Sequence, residues 1–178
     1  MNKKDLSERD ICTKFITPNI KAAGWDIQIQ VREEVTFTDG RIYVRGKLHT
    51  GGARKRADYI LYYKPNIPIA VIESKDNNHT VGAGIQQALG YAQTLEIPFV
   101  FSSNGDGFIF HDRTITSGEI ESELTLDSFP SPKSLWEKYK SYKGISADAT
   151  PIVSQDYFSD GTVLIKTCLL YTSDAADE

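Results

Sequence analysis

The chain has 178 residues, 40% hydrophobic and 25% charged, with 20 Lys and Arg against 24 Asp and Glu for a formal charge of −4. Globular composition at this length supports one well-buried domain, and two cysteines, Cys12 and Cys168, exclude a disulfide framework or a CxxC zinc site. Apolar stretches such as Ile67–Ile72 are too short to span a bilayer, and residues 1–10 lack the apolar core of a signal peptide, so a soluble protein of a reducing compartment is expected.

In chain order, the first element reads as a helix. Ser7 can cap it, Glu8 and Asp10 fall in its first turn, and Ile11, Phe15 and Ile16 share a face before Gly24 ends the pattern. Pro18 interrupts it, which predicts a kink or two short helices. Trp25–Val31 and Val35–Phe37 read as strands, followed by a polar stretch from Asp39 to Lys55. Asp58–Tyr63 and Ile67–Lys75 are apolar strands joined by the turn residues Lys64-Pro65-Asn66. Neither alternates cleanly, as expected of central strands covered on both faces. Thr80–Leu95 is expected to be helical through Val81, Ile85, Ala88, Leu89 and Ala92. Pro98–Phe101 and Phe108–Phe110 then form a hairpin about Asn104-Gly105-Asp106-Gly107. The order of elements predicts an α/β fold with a mixed central β-sheet flanked by helices.

Charge divides the chain. Residues 1–113 hold 15 basic and 13 acidic side chains, and 114–167 hold 5 and 8. With its Pro, Ser and Gly clusters, 114–167 is expected to be a connector and 1–113 the functional core. Residues 168–178, Cys-Leu-Leu-Tyr-Thr-Ser-Asp-Ala-Ala-Asp-Glu, resemble the translation of a sequencing-library adapter; the alternative is a native strand with an acidic tail. Without them the charge is −1, and the gene is expected to continue past Thr167.

The chemistry concentrates in Asp58 and in Glu73-Ser74-Lys75. An antiparallel pairing of the two strands brings the start of one beside the end of the other. Glu73 and Lys75, two apart, project from one face. Two carboxylates and an ammonium would converge there, which suits metal-assisted phosphodiester hydrolysis: hard oxygens hold Mg²⁺, and the lysine orients water or steadies charge on phosphorus. The neighbouring carboxylates would keep Lys75 protonated, which weakens the case for a general base. An isolated D…ExK match is more often a strand cap and a solvated ion pair; the strand-turn-strand context favours a site. Gln87 and Tyr91, four apart on the expected helix, could contact phosphate or the Lys75 ammonium, or else serve packing and a solvent edge.

These segments resemble a known family. Arg56-Ala57-Asp58-Tyr59, Ile72–His79, Gly82–Ala92 and Phe101–Phe108 are similar to the N-terminal nuclease domain of type I restriction enzyme R subunits, in the QxxxY branch of the PD-(D/E)xK superfamily. The likeness runs from about Leu6 to Arg113 and more loosely through Phe129–Trp136 and Gln155–Phe158. It implies a restriction-endonuclease-like core in which Asp58 and Glu73 hold Mg²⁺, Lys75 is the catalytic lysine, and Gln87 and Tyr91 form the QxxxY pair. Glu8 stands either as an accessory metal acid or as a helix N-terminal charge. Ala57 replaces the proline common before the aspartate.

The resemblance further implies ATP-dependent cleavage of double-stranded DNA in the full complex, in a prokaryotic cytoplasm. ATP would act only through helicase-like motor domains outside this chain. S-adenosylmethionine would act only through the modification and specificity subunits that are its partners, with no membrane involved. Between Arg41 and Arg56, Arg41, Arg45, Lys47, Arg54, Lys55 and Arg56 stand without an acid. Beside a nuclease site they are candidates for phosphate contact, although such a run also suits a solvated loop. The chain lacks GxxxxGK[ST], His79 and His111 lack ligand spacing, and Cys12 reads as packing. Two other readings stand beside this one: a different PD-(D/E)xK enzyme of repair or junction cleavage, and a non-catalytic DNA-binding or assembly module.

Overall fold

The computed structural model describes residues 2–38, 41–42 and 54–154. The chain opens with a 3₁₀ turn at Lys3–Asp5. Ser7 then caps helix α1 (Glu8–Ile11): its hydroxyl accepts from the Asp10 N–H, and the Asp10 carboxylate reaches back to the Ser7 N–H. Pro18 leaves its mark as a π-helical stretch over Cys12–Ile16, where the Thr17 N–H bonds the Cys12 carbonyl five residues back. Helix α2 (Thr17–Ala22) resumes with Pro18 in its first turn. Ile11, Ile16 and Ile20 are fully buried along this segment.

The expected strand over 25–31 is instead a turn. The Asp26 carboxylate accepts from the N–H groups of Gln28 and Ile29, and its carbonyl from Gln30. A short polar side chain thus satisfies the backbone locally, overriding the propensity of the branched residues around it. The strand begins only at Val31. β1 (Val31–Thr38), β2 (Arg41–Ile42), β3 (Lys55–Lys64), β4 (Ile67–Ser74), β5 (Phe99–Ser103), β6 (Gly107–Asp112) and β7 (Glu121–Thr125) form one sheet in the order β2-β1-β3-β4-β5-β6-β7. All neighbours are antiparallel except β4 and β5. This is a mixed α/β sheet flanked by helices, as the order of elements predicts.

The parallel step between β4 and β5 requires a crossover, which helix α3 (Ile85–Thr94) supplies. It starts later than the expected Thr80, because 81–84 form turns that bring Gly84 onto β4 and β5. Two layers of core result. One side gathers Ile11, Ile16, Ile20, Tyr59, Leu61, Ile72, Phe99, Phe101 and Phe108; the other packs Ile85, Ala88 and Ala92 of α3 against Ile60, Val71 and Val100. Tyr59–Tyr62 and Ile69–Ser74 are buried without interruption, the pattern of strands covered on both faces.

The packed unit continues past Arg113, into residues expected to be connector. β7 pairs with β6, and helix α4 (Pro132–Lys143) buries Leu135 and Trp136 in the first core layer beside Phe129. Ser131 caps α4, and Gly144 ends it at φ 65°. Helix α5 (Thr150–Val153) closes the described part. Among the described residues no helix is long and apolar enough to cross a membrane. The 168–178 segment and Gln155–Phe158 lie outside the described residues.

Candidate active site

The hairpin of β3 and β4 pairs Tyr59 with Ile72, so Asp58 and Glu73 are the next residues outward at the same end of the sheet. The carboxylate of Asp58 is fixed by the residue between Glu73 and Lys75: its Oδ2 accepts from the Ser74 N–H at 2.7 Å and from the Ser74 hydroxyl at 2.6 Å. The Cys12 thiol in turn donates to Ser74 Oγ at 3.1 Å. Burial pushes the Cys12 thiol up, so it stays protonated and serves as a donor rather than a nucleophile. Neither Ser74 nor Cys12 is among the residues the sequence singles out for the site. A hydroxyl in the middle of the ExK triplet is the signal that points to Ser74.

Glu73 is 3% exposed. Its Oε1 accepts from Lys75 Nζ at 3.0 Å, and the ammonium reaches Glu8 Oε1 at 3.3 Å. Glu8 is thereby joined to the group from the first helix. The other carboxylate oxygen, Glu73 Oε2, is buried without a hydrogen-bond partner among the described residues, an expensive arrangement for an anion. Burial and the nearby Asp58 charge raise the Glu73 carboxyl to about 7, with Lys75 opposing. For Lys75, burial works to lower the pKa, but the pairs with Glu73 and Glu8 outweigh it and hold the ammonium above its ordinary value.

Gln87 and Tyr91 come together on α3, where Gln87 Nε2 donates to the Tyr91 hydroxyl at 2.7 Å. They bond each other, and the phenol keeps its own proton available to donate. Burial raises Tyr91, the Gln87 bond lowers it, and the charges of Glu73, Asp58 and Lys75 act on it. Gly84 lets the start of α3 approach β4 and β5 closely. A Cβ there would stand 2.9 Å from Glu73 Cγ and 3.0 Å from Ser102 Oγ, and Ser102 accepts the Gly84 N–H at 3.0 Å. The glycine is required for close packing at the helix start.

Of the basic run, Arg45 and Lys47 and the side chain of Arg41 lie outside the described residues. Arg54 is exposed. Lys55 Nζ donates to Thr94 Oγ1 at 3.1 Å. Arg56 lines a cleft of about 270 Å³ together with Glu8, Arg9, Glu34, Asp58 and Ser74. His79 bonds Asp76, and His111 bonds Glu121. Among the described residues no group of three or more His, Cys, Asp or Glu is assembled as a metal cage. Two carboxylates, one carrying an unpartnered buried oxygen, fit a hard cation that retains its own waters better than zinc.

The raised Glu73 carboxyl has a consequence for stability. Between about pH 4.5 and 7 the folded chain holds a proton that the unfolded chain has released. Stability therefore falls as pH rises through that window, by an amount on the order of 3 kcal/mol, and is level above it. Urea unfolding of the metal-free chain at pH 5 and pH 8 checks this against Glu73→Gln, which cancels every other titrating group. The variant should lose most of the pH slope; an identical slope in both proteins would show that Glu73 is ionised normally.

Residues 28–130 match the family model described as Type I restriction enzyme R protein N terminus. The chain is 49% identical over 163 residues to the Type I restriction enzyme EcoAI endonuclease subunit of Escherichia coli, which covers 91% of this chain and 20% of that protein. A solved structure described as a fragment of an HsdR subunit of a type I restriction enzyme from Vibrio vulnificus YJ016 superposes with a TM-score of 0.71. It is 37% identical and covers 86% of this chain and 29% of that one. The chain thus spans about a fifth of the curated relative it matches.

Proposed function

Because the chain belongs to the family of type I restriction enzyme R protein N termini, we propose that it carries the DNA-cleaving centre of such an enzyme, a PD-(D/E)xK site acting on double-stranded DNA with Mg²⁺. The observation that supports this most is Glu73 Oε2, a buried carboxylate oxygen without a partner, set beside Asp58 and Lys75. Asp58 and Glu73 are the residues that would hold the cation, with Glu8 within reach of the same lysine. Bound there, the ion would polarise a phosphoryl oxygen and acidify a water.

The side chains divide the remaining work. Ser74 holds Asp58 in one orientation through two short hydrogen bonds, so a ligand oxygen is set before any substrate arrives. Lys75, kept protonated by Glu73 and Glu8, donates to oxygens on which charge develops at phosphorus; the same protonation rules it out as the proton acceptor. Gln87 and Tyr91 orient each other, leaving the phenol proton for a phosphate oxygen or water. Around this centre, the whole enzyme would draw on modification and specificity subunits for recognition and S-adenosylmethionine, and on segments beyond this chain for ATP, in the cytoplasm.

Glu73 must lose its proton to bind a cation, so binding strengthens with pH. Millimolar Mg²⁺ should raise the melting temperature of the chain at pH 8 and much less at pH 5.5, and Asp58→Asn should remove the effect; saturation at about 100 times Kd corresponds to about 2.7 kcal/mol. Differential scanning fluorimetry reads this directly. An equal rise in Asp58→Asn, or one insensitive to pH, would contradict the ligand assignment.

A further inference from the structure

Beside the carboxylates the same cleft holds a second, oppositely charged arrangement. Arg9 stands in the first turn of α1, and Arg56 stands on β3 two residues before Asp58; both line the cleft with Glu34. The Glu34 carboxylate lies between them, with Oε1 at 2.6 Å from Arg9 Nη1 and Oε2 at 4.0 Å from Arg56 Nη1. Glu34 sits inside strand β1 at φ 50°, a left-handed conformation unusual for any residue but glycine and costing on the order of 1–3 kcal/mol. Its neighbours Glu33 and Val35 pair regularly with Tyr59 and Ala57. The irregularity is thus confined to the residue facing Asp58.

Stability does not account for this arrangement. The side chains of Arg9, Glu34 and Arg56 are 74%, 51% and 62% exposed, and ion pairs at that exposure contribute little. They offset only part of the strain at Glu34. What the arrangement does achieve is to set one two-oxygen anion against two guanidinium groups that line the same cleft as Asp58. A phosphodiester presents the same pair of anionic oxygens, and the guanidinium fork binds it in the same way.

We propose that Arg9 and Arg56 form a clamp for a backbone phosphate of the DNA strand entering the cleft, and that the Glu34 carboxylate fills this clamp as an internal substitute while DNA is absent. The clamp rests on the nuclease reading only in taking DNA as the occupant. Glu34 sets the affinity: a phosphate must displace it, so DNA held only weakly near the site is not retained. This suits a domain whose described surface is otherwise nearly balanced in charge.

Binding without cleavage isolates the clamp from the catalytic groups. Anisotropy of a short labelled duplex, in EDTA and across a salt series, reads it with the whole chain. Glu34→Gln should tighten binding by about tenfold. Glu34→Gly, which also relieves the positive φ, should do the same, so the effect does not depend on tolerance of strain by one variant. Arg9→Ala/Arg56→Ala should weaken binding and make the slope of log K against log salt shallower by about 0.9, the change expected for the one phosphate the clamp neutralises. Circular dichroism confirms that each variant is folded. Unchanged affinity in both Glu34 variants, or an unchanged slope in the double arginine variant, overturns the clamp and leaves cleavage by Asp58, Glu73 and Lys75 untouched. Loss of the metal response described above, with the salt-slope change intact, overturns the nuclease reading and not the clamp.

Discussion

Trp136→Ala is expected to destabilise the chain by about 3–5 kcal/mol, a large part of the stability of a domain this size. Trp136 is 2% exposed and lies between two rings: Tyr63 of β3, parallel at 4.1 Å, and Tyr139 one turn further along α4 at 5.5 Å. Around it Leu135 and Phe129 fill the same layer as Phe101 and Phe108, with Phe129 at 4.8 Å from each ring. Trp25 adds a hydrogen bond from its indole N–H to the Pro130 carbonyl, and Lys138 pairs with the buried Asp112 at 2.6 Å. Truncating the indole leaves a cavity at the join between α4 and the sheet. Urea denaturation followed by far-UV circular dichroism measures it, with Ile152→Ala, 68% exposed on α5, as a comparison expected within about 0.5 kcal/mol. A loss below about 1 kcal/mol for Trp136→Ala would mean that α4 only hangs from the core.

This packing explains why residues 114–143 do not read as part of the fold. Composition there is polar, and Phe129-Pro130-Ser131-Pro132 carries the residues of a linker. The structure uses those residues to cap α4 and to present a few large side chains, Phe129, Leu135 and Trp136, to a cavity on the sheet made by distant residues. Burial of that kind depends on tertiary partners and leaves little periodicity to read. The Asp26 turn shows the opposite failure: a local hydrogen-bonding group defeats a run that looks like a strand.

The hairpin of β3 and β4 was legible because turn residues and unbroken apolar runs both point to the same pairing. With that pairing in place, Asp58, Glu73 and Lys75 were legible as a group. The supporting residues were not. Ser74 acts through its N–H and hydroxyl on a carboxylate 16 positions away, Cys12 through one hydrogen bond across 62 positions, and Glu34 through a backbone angle. Of these, only the hydroxyl inside the ExK triplet leaves a mark in the sequence; Cys12 and Glu34 leave none.

In the mechanism proposed above, Lys75, fixed between Glu73 and Glu8, donates to charge developing at phosphorus. Its replacement has the largest expected effect. Lys75→Ala leaves Glu73 Oε1 without its donor and Glu8 without its partner, and it removes a preorganised cation from beside the buried Glu73 carboxylate. Loss of one such donor typically lowers the rate by about 10²–10³-fold. The fold itself should survive, because Lys75 lies just past the end of β4 and is anchored by its backbone N–H to the Ser103 carbonyl. The direct measurement is cleavage of duplex DNA by the full-length subunit, assembled with its partners, alongside ATP hydrolysis by the same preparation. Cleavage at least 100-fold slower in Lys75→Ala, with ATP hydrolysis unchanged, is the result this mechanism predicts. Cleavage within about tenfold of the unmodified protein would contradict it and move the catalytic role away from Lys75.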